Sequence, residues 1–147
     1  MSSCFKKGRI VIILNGRHAG KKAIVIKDKI SSVNNSLSKN IGIIGIKNLP
    51  SKENRKKQSG TIGSKRGIKV FLKLMNKNHV LPTRYFVDLN PDQQTLISNI
   101  SNSFFDKKMN RDTSDKFVEE NMWQINNIFM DKYFSGKNKW FFKKLKF

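Results

Sequence analysis

Between Lys7 and Lys27 the chain interleaves β-branched residues with cations. The runs Ile10 to Leu14 and Ala23 to Ile26 flank a link that holds Gly16, Arg17, His18, Gly20, Lys21 and Lys22. Two short apolar runs joined through glycines predict a hairpin. Gly16 and Gly20 allow its backbone to turn tightly, so that Arg17, His18, Lys21 and Lys22 project from a rigid tip. Such a tip suits a sugar-phosphate chain, because Lys and Arg meet phosphates while backbone amides beside glycine approach closely. The bland alternative is a tip charged only for solubility.

Other chemistry finds little support. His18 and His79 stand far apart in sequence, and Cys4 is the only cysteine, so no thiol pair exists for a metal or an intrachain disulfide. The glycines at 16 and 20 match neither the phosphate-loop pattern nor the dinucleotide fingerprint. Acids in the basic half are isolated. The expectation is a protein without catalysis, cofactor, metal or small-molecule substrate. His79, between Asn78 and Pro82, is expected to fix a tight turn through its hydrogen bonds rather than to stack on a base.

The partner is suggested by charge. The net charge is +20 over 147 residues, distributed as +17 in residues 1–91, −3 in 92–131 and +6 in 132–147. A surface so one-signed repels itself unless a polyanion neutralises it, which points to nucleic acid. Lys6, Lys7 and Arg9 before Ile10 to Leu14 mimic a signal peptide, but five apolar residues are too few for its hydrophobic region. No stretch reaches the length of a membrane span. With a single cysteine, these features predict a soluble chain of a reducing intracellular compartment.

The elements that must position the cations follow from periodicity. Ile10 to Leu14, Ala23 to Ile26, Ile41 to Ile46, Val70 to Met75 and Tyr85 to Leu89 predict about five strands, with Pro82 interrupting the stretch before the last. Gly42 and Gly45 inside the third run suggest a bulge or the bend a small barrel needs. Residues 28–40 predict a surface loop, and 49–67 a basic one. Beyond Pro91 the period changes to that of a helix. Val118, Met122, Ile125, Phe129 and Tyr133 share one helical face, predicting a helix over 114–134 that stops at Gly136, with a shorter one over 92–98.

Three segments resemble one family. Lys7-Gly8-Arg9-Ile10-Val11-Ile12 with Gly16 through Lys27 resembles the KOW motif, also found in transcription elongation factors. Lys69 through Lys73, then Asn76 through Asp88 with its Asn-His turn and Pro-Thr-Arg-Tyr strand start, is similar to the central signature of the eukaryotic-type L-twenty-seven (eL27) family of large-subunit ribosomal proteins. The ending from Gly136 to Phe147 is similar to the same family's. The resemblance implies an SH3-like (KOW) small β-barrel over 5–90, a helical extension over 91–135 and a basic aromatic tail over 136–147. It further implies a structural constituent of the cytosolic large (60S) subunit, bound to its rRNA and to neighbouring ribosomal proteins, cytoplasmic after nuclear or nucleolar assembly. The long helix over 114–134 is acidic where the family's is basic, so that a solvent or protein face is open for it.

The tail also reads by itself. Trp140, Phe141, Phe142 and Phe147 alternate with lysines, combining stacking surfaces with phosphate-seeking charge. Two other readings are an anionic membrane surface and packing back onto the barrel. The RNA-contact candidates are Lys7, Arg9, Arg17, Lys21 and Lys22 in the KOW segment, then Lys56, Lys57, Lys65, Arg66 and Lys69. Arg84, Lys137, Lys139, Trp140, Lys143, Lys144 and Lys146 complete them. The alternative function is a KOW-domain transcription elongation factor, which would be expected within a longer chain.

Overall fold

Four of the five expected runs become strands and a fifth strand forms mostly ahead of the last run: β1 (Arg9–Ile13), β2 (Lys22–Lys27), β3 (Asn40–Asn48), β4 (Lys69–Asn76) and β5 (Val80–Phe86). In this computed structural model residues 4–28, 39–49, 67–109 and 116–146 are described, which leaves most of the 28–40 and 49–67 loops outside. The strands form one antiparallel sheet in the order β4-β3-β2-β1-β5. β4 and β5 lie at opposite edges of that order, yet only the 3-10 turn Lys77–His79 separates them in the chain. A sheet whose two edges are joined by three residues has to roll until those edges approach. The result is SH3-like, although no ladder closes it.

Rolling buries both faces, which explains apolar runs that do not alternate with polar residues. Val11, Ile13, Ala23, Val25, Ile41, Ile43, Phe71, Met75 and Val80 fill the interior. On the outer face Ile10, Ile24, Ile26, Ile44, Ile46, Val70 and Leu72 meet the helices and the tail. Gly42 and Gly45 serve these two layers. A Cβ on Gly45 would lie 2.4 Å from the Phe71 ring inside, and one on Gly42 would lie 2.4 Å from the Phe105 ring outside. Their chief task is room for two rings, although a register shift in the β2–β3 ladder does fall beside Gly42.

Two helices cover the outer face: α1 (Pro91–Met109) and α2 (Lys116–Phe134). α1 begins with Pro91 in the first helical position, and Gln93 Oε1 accepts a hydrogen bond from Asn90 N–H at 3.3 Å, one half of a capping box. α1 runs well past the expected 92–98. Its Ser and Asn residues have poor intrinsic helicity, but Ser101 and Ser103 return their hydroxyls to the carbonyls of Ile97 and Asn99, and Ile97, Ile100 and Phe105 are buried. Tertiary burial outweighs propensity there.

The expectation for the last strand also needs correction, since β5 starts at Val80 and contains Pro82, and residues 87–90 are not strand. Proline is tolerated because β5 is an edge strand, paired with β1 alone. α2 agrees with the expected helix to within two residues at its start and ends as expected, with Gly136 at φ +72° just beyond. Asp112, Thr113 and Ser114, residue types suited to cap the start of this helix, lie outside the described residues. Among the described residues no helix is long and apolar enough to cross a membrane.

Candidate nucleic-acid interface

The hairpin tip is a compact turn. Gly20 N–H donates to Ile13 O at 2.7 Å and Ala19 N–H to Gly16 O at 3.0 Å, with Gly16 and Gly20 at φ +89° and +78°. Those angles suit glycine and strain any other residue. Arg17 projects, exposed, as expected. His18 does not: its ring lies on Phe71 with centroids 3.7 Å apart and planes 6° from parallel. Burial, then the charges of Lys21, Lys73, Arg17 and Lys47, lower its pKa, so His18 packs as a neutral ring at neutral pH.

Lys22 departs furthest from the expectation. It shares the outer sheet face with Ile24 and Ile26 by the two-residue period of β2, and it is buried. Its ammonium donates to Trp140 O at 2.5 Å and Lys143 O at 2.7 Å, and it sits 3.9 Å from the Trp140 ring centroid. Burial, and secondarily the Lys143 charge, lower its pKa. Lys22 therefore fastens the tail to the barrel. Replacing it with Met should remove two charge-assisted bonds at a cost of about 1.5–3 kcal/mol each before relaxation. Urea unfolding should shift accordingly and trypsin should cut the tail faster; an unchanged tail cleavage rate would remove this role from Lys22.

Fastening has a consequence for the other cations. A cleft of about 480 Å³ opens between the hairpin, the end of β3 and the tail, lined by Ala19 to Lys22, Ile46 to Leu49, Phe141 and Lys143 to Leu145. Lys21, Lys47, Lys143 and Lys144 supply its charge. Lys21 Nζ also donates to Lys47 O at 3.3 Å, which draws hairpin and β3 together. Phe141 and Phe142 are buried in the outer core beside Phe129 and Tyr133, so for these two rings the tail packs back onto the fold. Trp140 is half-buried between Lys22 and Tyr85.

The remaining candidates scatter. Lys7, Lys69, Lys137, Lys139 and Lys146 are exposed away from this cleft's lining. Arg9 is half-buried with its guanidinium 4.9 Å from the Phe86 ring centroid. Arg84 is exposed and donates to Tyr85 Oη at 3.3 Å, a bond that raises its pKa. Lys56, Lys57, Lys65 and Arg66 lie outside the described residues. His79 sits exposed at the end of the 3-10 turn, where its carbonyl accepts from Leu14 N–H at 2.9 Å.

Sequence reading missed Lys47. Lys47 follows directly on the apolar run of β3, a position whose side chain could have been flagged as the strand's exit. It also missed Lys132, buried on α2 with its ammonium bonded to Asp88 O, which ties the helix to the end of the barrel. Among the described residues no three His, Cys, Asp or Glu side chains gather where they could hold a metal.

A rolled antiparallel sheet with a glycine-turned basic hairpin and helices on its outer face defines an SH3-like barrel of the KOW kind. The chain matches the family model for the Ribosomal L27e protein family over residues 10–147, and it belongs to that family. It is 36% identical over 152 aligned residues to a protein of Arabidopsis thaliana named large ribosomal subunit protein eL27z, with all of both chains covered. Likewise over full length it is 31% identical to large ribosomal subunit protein eL27B of Saccharomyces cerevisiae and 32% identical to eL27 of Caenorhabditis elegans.

Proposed function

We propose that this chain is a structural constituent of the large ribosomal subunit that docks on folded rRNA through the cleft between hairpin and tail. The observation that carries the reading is the meeting of Lys21 and Lys47 with Lys143 and Lys144, which are about a hundred residues distant in sequence, around one cleft. Neutralising phosphates there releases counterions, and the packed barrel supplies shape. The chemistry is binding without turnover. rRNA and neighbouring large-subunit proteins are its partners, on ribosomes of the cytoplasm after assembly in the nucleolus.

Sucrose-gradient sedimentation of native lysate tests this. The chain should follow the large-subunit and whole-ribosome peaks, and a Lys21→Ala/Lys143→Ala/Lys144→Ala variant should shift toward free protein at the top. Complete large subunits lacking the chain, or co-purification with RNA polymerase instead, would favour the elongation-factor reading.

A further inference from the structure

The two edges of the rolled sheet are finished differently. Along β4, α2 takes up the outer amides: Asn126 Oδ1 accepts from Val70 N–H at 3.0 Å, and just before the strand Met130 Sδ accepts from Ile68 N–H at 3.3 Å. Among the described residues β5 has no such cover. Its last three residues, Arg84, Tyr85 and Phe86, are all exposed, Tyr85 and Phe86 each at 43% of full residue exposure. The β1–β5 register shifts between Arg9 and Val11, so that β5 carries extra residues where these side chains leave the ladder. Exposed aromatics on an open edge invite an occupant.

The surroundings select its chemistry. A guanidinium lies over each ring: Arg84 at 5.2 Å from the Tyr85 centroid and Arg9 at 4.9 Å from that of Phe86. Arg9 Nε is buried without a hydrogen-bond partner, the one such side-chain atom among the described residues. Tyr85 also leans on Trp140, with centroids 4.7 Å apart and planes 39° from parallel. Neither β1 nor β5 contains an acid. Ring faces flanked by unopposed guanidinium groups fit a base with its phosphate, whereas a paired duplex hides its base faces. We infer that the Arg84-Tyr85-Phe86 end of β5 is a stacking ledge for one or two unpaired bases of bound RNA. It rests on the RNA-binding reading above and adds to it the kind of RNA that is recognised.

The test uses the full chain and two RNA stems, one with 2-aminopurine in an unpaired bulge and one fully paired with the same sequence. Anisotropy gives affinity, and 2-aminopurine quenching reports stacking. Wild type should prefer the bulged stem by about 5- to 100-fold and quench its probe. Tyr85→Leu/Phe86→Leu, at exposed positions and checked for folding by circular dichroism, should bring the preference near unity and abolish quenching. Lys144→Ala should weaken both stems alike. Retained preference and quenching in the aromatic variant would overturn the ledge while leaving RNA binding intact. Normal binding of both stems by that variant with loss from the large-subunit peak would give the ledge to a protein neighbour, again overturning it. Binding of neither stem by wild type would remove the RNA reading and the ledge together.

Discussion

Raising monovalent salt from 50 to 200 mM should cut the affinity of the isolated protein for ribosomal RNA by about three orders of magnitude. The expectation follows from counting cations that are free to meet phosphate. Arg17, Lys21 and Lys47 on the hairpin and the β3 exit, and Lys137, Lys139, Lys143, Lys144 and Lys146 on the tail, are all exposed or half-exposed, and about six of these eight are expected to meet phosphate. Six contacts at roughly 0.7–0.9 in log affinity per decade of salt, over about 0.6 of a decade, give a loss of about 2.5–3 log units. Removing Lys143 and Lys144 together should lower the slope by about 1.4–1.8 with the fold unchanged, since both are exposed. Lys22 provides the contrast. Its charge is committed to tail carbonyls, so Lys22→Met should weaken binding through a loosened tail while leaving the slope nearly constant. Filter binding or anisotropy across a salt series measures both quantities; a flat response would refute the phosphate-neutralising mechanism.

Phe105→Ala should destabilise the fold by about 3–5 kcal/mol in chemical denaturation. The ring is fully buried on the outer sheet face, seated against the bare backbone of Gly42. Because a Cβ on Gly42 would come within 2.4 Å of that ring, Gly42→Ala should itself cost about 1–3 kcal/mol by overpacking. The two sites share one volume. Gly42→Ala combined with Phe105→Ala should therefore cost clearly less than the sum of the single changes, because the truncated side chain vacates the space the new methyl needs. Additivity within about 0.5 kcal/mol would show that the ring and the glycine are independent. The contact matters beyond stability, since it is through Phe105 that α1 is seated on β3.

The sequence by itself determined the parts whose signals are local. The runs at Ile10, Ala23, Ile41 and Val70 became β1 to β4 within a residue or two, the three-and-four spacing through Phe129 became α2, and Gly136 ended it. Backbone propensity, period and capping act over a few residues, so a window along the chain contains them. The basic hairpin and the family resemblance were legible for the same reason. α1 and β5 were less so: serine and asparagine masked a helix that buried Ile97, Ile100 and Phe105 sustain, and an edge position excused Pro82.

Only the tertiary structure decided which cations serve as cations. In the chain Lys21 and Lys22 are adjacent equals, yet Lys22, set on the outer face by the two-residue period of β2, lies beneath the tail and holds Trp140 and Lys143, while Lys21, just before the strand, reaches Lys47 at the cleft. Phe141 and Phe142 read as stacking surfaces until the outer face of the barrel is there to bury them. Lys47 gains a role because the tail folds back beside it. Burial and proximity are pair properties of residues about a hundred positions apart, and a lysine's sequence neighbours carry no record of them.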